Sequence, residues 1–172
     1  GDDVYSDNKG IILDLGGNDR YESTNDWTFS AAKLTTNMLL DVSGDDVYSC
    51  KDHCLGSSFL GASYFADLDG NDKYLSKAYS QGASFAGISF FHDYSGNDQY
   101  ISDGLSQGVA VAGGSTLFID SSGDDSYRSH GLRPSSYDDP GQQESWAQGV
   151  AIGLRYFLSG GIAVLYDKSG SD

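Results

Sequence analysis

One ten-residue pattern recurs along this chain: apolar-x-Asp-x-x-Gly-[Asn/Asp]-Asp-x-Tyr. It stands at residues 12–21, 39–48, 65–74, 91–100 and 118–127, with shortened copies at 1–5 and 165–172. The central copies lie 26 or 27 residues apart. A fixed period of this length marks a repeat architecture, in which each unit buries its apolar side only against its neighbours. Helical spacing is sustained nowhere, whereas short alternating runs bounded by Gly, Ser, Asn and Asp recur throughout. The reading is a right-handed parallel β-solenoid of roughly six coils, with about three short strands in each.

The coil between Tyr74 and Asp93 shows the expected division. A first strand is expected at 72–75, a second from about 80–84, and a third at 88–93 after a corner at Gly87. The Ser-Gln-Gly-Val/Ala-Ala/Ser phrase returns at 106–110, and Gln-Gly-Val-Ala at 148–151. The repeated Gln81, Gln107 and Gln148 suggest an internal amide ladder between stacked coils.

Side-chain parity follows from the motif, because alternate strand residues face opposite sides. Two places before the first Asp stand Ile12, Leu39, Phe65, Phe91, Phe118 and Leu165, all apolar, so that side faces inward. The first Asp shares that parity. After the turn, the second Asp shares parity with the Tyr. Both Asp columns therefore lean inward at one corner, and the Tyr column at 5, 21, 48, 74, 100 and 127 reads as an inward aromatic stack rather than an exposed track. His53 and His92 are expected at the surface.

Stacking brings like carboxylates about 4.8 Å apart. At that distance they repel by about 0.9 kcal/mol even in water, and more when buried. The two columns hold about half of the chain's 25 acidic residues, so the charge needs compensation. Ca²⁺ would supply it, one ion per gap, taking six to eight oxygens from carboxylates and turn carbonyls. The expected ligands are Asp14, Asp19, Asp41, Asp46, Asp67, Asp72, Asp93, Asp98, Asp120, Asp125, Asp167 and Asp172. The alternative is a metal-free role, with Asp and the preceding Asn/Asp capping turns through backbone N–H groups.

The turn Gly17-Asn18-Asp19-Arg20-Tyr21, with its copies at 44–48, 70–74, 96–100 and 123–127, resembles half of the RTX (hemolysin-type) calcium-binding repeat, Gly-Gly-x-Gly-x-Asp-x-apolar-x. The resemblance implies turns that bind Ca²⁺ between successive coils through Asp carboxylates and backbone carbonyls. It covers one corner of each coil. The RTX unit is nine residues long with two turns per coil, against about 26 residues here.

From Tyr127 to Asp167 the coil is about 20 residues longer than its neighbours. This enlarged coil, 129–161, carries the candidate ligand-binding residues His130, Arg133, Tyr137, Trp146 and Arg155, with Asp138, Asp139 and Glu144 nearby. Insertions in solenoids project as loops on one face, often the binding face. Polysaccharide is the ligand these residue types suit. No motif specifies catalysis, and the chain is not read as an enzyme.

A net charge of −15 excludes a basic face for nucleic acid and disfavours an anionic membrane surface. No apolar run is long enough for a transmembrane helix. Cys50 and Cys54 form a close pair that suits a disulfide or free thiols, or else half a metal site with His53. Residue 1 falls inside one motif and residue 172 inside another, so a piece of a longer repeat chain is expected. The whole reads as a calcium-stabilised structural or adhesive solenoid, extracellular or at a cell surface, whose partners are adjacent coils or subunits. The alternatives are a carbohydrate-binding or polysaccharide-active β-helix and a metal-free structural solenoid.

Overall fold

The computed structural model describes residues 1–7, 10–134, 141–154 and 156–172. The fold is a parallel β-solenoid of about five turns, with coils of about 26 residues and no helix among the described residues. Three sheets run along it.

The tyrosine sheet stacks Val4–Ser6, Arg20–Glu22, Val47–Ser49, Lys73–Leu75, Gln99–Ser102 and Ser126–Ser129. The long sheet stacks Ile11–Leu13, Thr36–Asp41, Ala62–Asp67, Ile88–Asp93, Ser115–Asp120 and Ile162–Asp167. The short sheet stacks the two-residue strands Ala32–Lys33, Ser58–Phe59, Ser84–Phe85, Ala110–Val111 and Ala151–Ile152. Register is kept throughout: Tyr5, Tyr21, Tyr48, Tyr74, Tyr100 and Tyr127 pair in sequence.

The core is two aromatic columns meeting edge to face. Tyr rings stack 4.5–5.0 Å apart from Tyr5 to Tyr127. Phe65, Phe91 and Phe118 stack at 4.5 and 4.6 Å. Tyr74 meets Phe91 at 5.3 Å and 77°. Offset stacking within a column and edge contact between columns suit the ring quadrupole. Leu165 of the last copy is only partly buried.

The motif glycine is required twice over. At Gly96 the backbone has φ +152°, which L-residues with a Cβ rarely adopt. A Cβ there would also overlap the carbonyl oxygen of Gly70 one coil away. Gly70 and Gly123 repeat both conditions.

The second strand differs from expectation. Residues 80–82 form a corner, and the strand is only Ser84–Phe85. Tyr79 and Gln81 adopt left-handed φ values of 52° and 46°, and Ala86 one of 46°. Alternation of left-handed and extended residues cannot continue a strand. The coil spacing brings the same three positions into register along the rod.

Nor do the buried glutamines form an amide ladder. Gln81 Nε2 donates to the Tyr74 carbonyl at 2.9 Å and to the Ile101 carbonyl of the next coil at 3.0 Å. Gln107 does the same to Tyr100 and Arg128. Each side chain ties the corner to the tyrosine sheet on two levels.

Beyond Ser129, Arg133–Pro134 pairs antiparallel with Gln143–Glu144. The chain rejoins the rod where the Leu105 amide donates to the Ser145 and Trp146 carbonyls, at 2.9 and 3.0 Å. A second small excursion closes through an antiparallel bridge between Leu154 and Leu158.

Candidate metal centres and an outer groove

Along the middle of the rod the two oxygens of a carboxylate in the Asp columns do different work, whereas at the first motif Asp14 uses both, accepting from the Tyr5 hydroxyl and the Gly16 amide. The first Asp of a motif ends a long-sheet strand, facing inward. Its Oδ2 accepts from a tyrosine hydroxyl: Tyr21 to Asp41 at 2.5 Å, Tyr48 to Asp67 and Tyr74 to Asp93 at 2.6 Å, Tyr100 to Asp120 at 2.8 Å. The second Asp follows the glycine turn. Its Oδ1 accepts the amide of the second Asp one coil earlier: Asp46 from Asp19 at 2.6 Å, then Asp72 from Asp46, Asp98 from Asp72 and Asp125 from Asp98, each at 2.7 Å. Asp172 continues the series from Asp125 at 2.8 Å.

The other oxygens are left over. Oδ1 of Asp41, Asp67, Asp93 and Asp120, and Oδ2 of Asp19, Asp46, Asp98 and Asp125, are buried with no hydrogen-bond partner, whereas Asp72 Oδ2 accepts from the Tyr74 hydroxyl at 3.4 Å. Turn capping and cation binding were alternatives for these side chains, but capping uses only one oxygen of each pair. A buried carboxylate oxygen without a partner is costly.

The carboxylates gather in threes. Asp19, Asp41 and Asp46 form one group, and Asp46, Asp67 and Asp72 the next. Asp72, Asp93 and Asp98, then Asp98, Asp120 and Asp125, continue the file, and Asp3, Asp14 and Asp19 begin it. Within each group a carboxylate oxygen from every member lies within 4.8 Å of the others. Each group comprises both Asp residues of one motif and the second Asp of the motif before. Asp167 and Asp172 neighbour each other and Asp120 at the last motif.

Burial, reinforced by neighbouring carboxylates, pushes several of these acids up. Asp46, Asp98 and Asp125 are raised to about 7, Asp67 to about 8 and Asp72 to about 10. Asp93 is raised well above the ordinary range, from burial first and then from Asp98 and Asp67. The donor set is oxygen alone, which suits a hard cation and not zinc or copper. Each group could therefore hold a metal ion.

The residue before the second Asp does not close an Asx-turn on its own backbone. Asp45 accepts the amide of Asn71 at 2.8 Å, Asn71 that of Asn97 at 3.0 Å, and Asn97 that of Asp124 at 2.8 Å. This exposed ladder ties neighbouring coils together.

A second feature lies on the outside, against the short sheet. Trp27, His53, Tyr79, Leu105 and Trp146 share the same corner position and the same left-handed backbone, with φ between 47° and 63°. His53 stacks between Trp27 at 4.3 Å and Tyr79 at 4.9 Å. Beside this column runs a second one, in which Phe59 stacks on Phe85 at 5.0 Å. His53, Tyr79, Phe59 and Phe85, with Leu105, Val111, Trp146, Ile152 and Leu154, line a groove of about 460 Å³, and Trp27 continues the stack beyond it. Lys33 Nζ lies 5.2 Å from the Trp27 ring, at the far end of the stack.

His53 is half-buried, and burial holds its pKa below the ordinary value. His92 is likewise half-buried, stacked on Tyr94 at 3.6 Å. Neither is the plain surface residue that parity suggests. Cys50 and Cys54 are bonded to each other as a disulfide, so the metal half-site with His53 does not form.

Of the insertion residues, Trp146 reaches the groove. His130 stands elsewhere, exposed, with Nδ1 3.7 Å from Asp103 Oδ1. Arg133 opens the short antiparallel pair. Tyr137, Asp138, Asp139 and Arg155 lie outside the described residues. The groove's other residues went unnoticed in the sequence, although Trp27, His53 and Tyr79 stand 26 residues apart. Comparison with protein-family models, curated proteins and solved structures found no match.

Proposed function

We propose that this chain is a structural solenoid whose inner aspartates bind Ca²⁺ in file, one ion in each gap, and that it works outside the cell or at its surface. The observation that carries the reading is the file of carboxylates gathered in threes, most of them buried and most with an oxygen that has no hydrogen-bond partner. Because each second Asp is shared between two groups, each added motif brings two carboxylates and one site. One divalent ion per site then neutralises the file along its length. Ca²⁺ tolerates irregular sites with six to eight oxygens, whereas Mg²⁺ demands octahedral geometry and keeps its water. The resemblance of the Gly-Asn/Asp-Asp-x-Tyr turns to RTX repeats supports the same ion. Millimolar external Ca²⁺ would fill weak sites, and the Cys50–Cys54 disulfide suits an oxidising compartment.

The test is thermal unfolding followed by circular dichroism, in EGTA and then with Ca²⁺ or Mg²⁺. A large upward shift in Tm with Ca²⁺ and little with Mg²⁺ is expected, because a ligand that binds only the folded state stabilises it by mass action. An unchanged Tm with Ca²⁺ overturns the reading.

The groove favours a second reading, carbohydrate binding at the face that Trp146 helps to line. Soluble oligosaccharides of acidic and neutral type, titrated against the protein and against Trp146→Ala, test it. Saturable binding that the substitution removes supports the reading, and absence of binding to the intact protein disposes of it.

A further inference from the structure

The outward side of the long sheet carries no charge. Its central column is Ile11, Met38, Tyr64, Phe90, Leu117 and Val164, in register from strand to strand. The flanking column runs from Leu13 through Leu40 to Ile119 and Tyr166. The third holds Ala62, Ile88 and Ile162 among small hydroxyl residues. No outward position of these six strands is Asp, Glu, Lys or Arg, in a chain with 25 acidic and 10 basic residues. The tyrosine sheet is the contrast: its outward positions include Arg20, Glu22, Lys73 and Arg128.

Both sides of the long sheet thus carry a large apolar column, and only one faces the core. Sheets left open to water normally alternate apolar and polar residues. Ile88 is 61 % exposed and Tyr166 52 %. The single histidine here, His92, has its pKa held down by burial and is hydrogen-bonded to Ser121 at 2.8 Å. A contiguous apolar face of this extent marks an interaction surface.

We infer that this face is the contact between two copies of the chain, packed sheet on sheet about a two-fold axis. Five strands about 20 Å long and a first one about half that length, about 4.8 Å apart, give a footprint of about 500 Å² per copy. Two footprints come to about 1,000 Å², the lower bound of a specific interface. The surface is ridged at one interval, as the Tyr64–Phe90 ring spacing of 5.1 Å shows, and a second copy presents ridges at the same interval. A flat uncharged face is self-complementary, as a two-fold interface must be. It also lets two acidic rods meet where neither carries charge. The inference does not rest on the cation reading, since the outward columns take no part in the Asp groups.

The test is sedimentation equilibrium of the whole chain, with Ca²⁺ and with EDTA. The expected species is twice 18.3 kDa, with a micromolar Kd for an interface of about this size. Phe90→Lys and Leu117→Lys, each placing a charge in the middle of the face, are expected to weaken association by about 100-fold or more with native circular dichroism. Lys73→Glu, on the tyrosine sheet, is expected to leave it unchanged. As a variant-free readout, the methyl NMR signals of Leu117 and Ile119 are expected to shift on dilution while that of inward Leu39 does not. A monomer at about 100 µM, or a dimer that both lysine variants leave intact, overturns the inference. So does association that leaves the Leu117 and Ile119 methyls unmoved.

Discussion

The Tyr74 hydroxyl donates to Asp93 Oδ2 at 2.6 Å, while Asp93 Oδ1, equally buried, has no partner. One oxygen fixes the aromatic column to the turn, and the carboxylate also gathers with those of Asp72 and Asp98. Tyr74→Phe removes that tie, together with the hydroxyl's longer contact of 3.4 Å to Asp72 Oδ2, and leaves every carboxylate of the group in place. Hydrogen bonds to charged groups contribute about 1.5–3 kcal/mol, so a loss of about 2 kcal/mol is expected. Urea unfolding in Ca²⁺ and in EDTA measures it, and the loss should be similar in both.

Asp93→Asn acts on the second function. The amide keeps the shape and removes a charge from beside Asp98 and Asp67, the neighbours that help to raise the Asp93 pKa. In EDTA the variant is expected to melt higher than the parent, because repulsion is relieved. In saturating Ca²⁺ it is expected to melt lower and to bind one ion fewer by titration calorimetry. A variant that melts higher under both conditions would show that the carboxylate is no cation ligand.

Those two roles were half legible in the sequence. Parity within the motif places both Asp columns and the Tyr column inside, because a strand's alternation is strict. The split of each carboxylate between a structural oxygen and a spare one is not visible there, since it depends on which coil supplies each donor. The corner at Gln81 falls inside the strand expected from about 80–84 because its left-handed residue is not a glycine or asparagine, and so lacks the usual mark of such a turn. The outer ring stack is written at a 26-residue interval in Trp27, His53 and Tyr79, but Leu105 interrupts it and the insertion moves Trp146 out of phase. The enlarged coil's candidate residues carry the sequence reading instead, and among those that the structure describes, Trp146 is the one that lines the groove.

Two glycines separate conformational cost from steric cost. Gly113 has φ +81° with open space where a Cβ would stand, whereas Gly96 has φ +152° and a Cβ aimed at the Gly70 carbonyl. Gly113→Ala is expected to cost about 1–2 kcal/mol, the usual penalty for a left-handed L-residue. Gly96→Ala is expected to cost more than about 4 kcal/mol, since backbone from two coils must separate. Chemical denaturation of both variants checks the ranking, and equal costs would mean that the coils are not packed at that turn.

Gln107 tests the ties between levels. Its Nε2 satisfies the Tyr100 and Arg128 carbonyls at 3.0 and 3.1 Å. Gln107→Leu fills similar space and leaves both acceptors without their side-chain donor, at about 1–3 kcal/mol for a buried unsatisfied group. The expected signature is a lower Tm together with faster amide exchange in the strands Gln99–Ser102 and Ser126–Ser129. Exchange that is unchanged there would assign Gln107 to packing alone.

The response to pH distinguishes a protonated file from a metallated one. Unfolded aspartates titrate near pH 3.9, whereas burial raises Asp46, Asp98 and Asp125 to about 7, Asp67 to about 8 and Asp72 to about 10. Without metal the folded state then binds more protons than the unfolded state across this window. Stability is fully present below about pH 4 and is lost as pH rises through about 7 to 10. Tm in EDTA is therefore expected to fall between pH 5 and pH 8. In saturating Ca²⁺ the sign reverses, because protons compete with the ion for the same oxygens and their release favours binding. Tm is then expected to rise over the same interval, so that Ca²⁺ stabilises most at the alkaline end. Melting curves at the two pH values, with and without Ca²⁺, give the four numbers needed. Parallel pH trends in EDTA and Ca²⁺ would mean that the ion and the protons do not share these carboxylates.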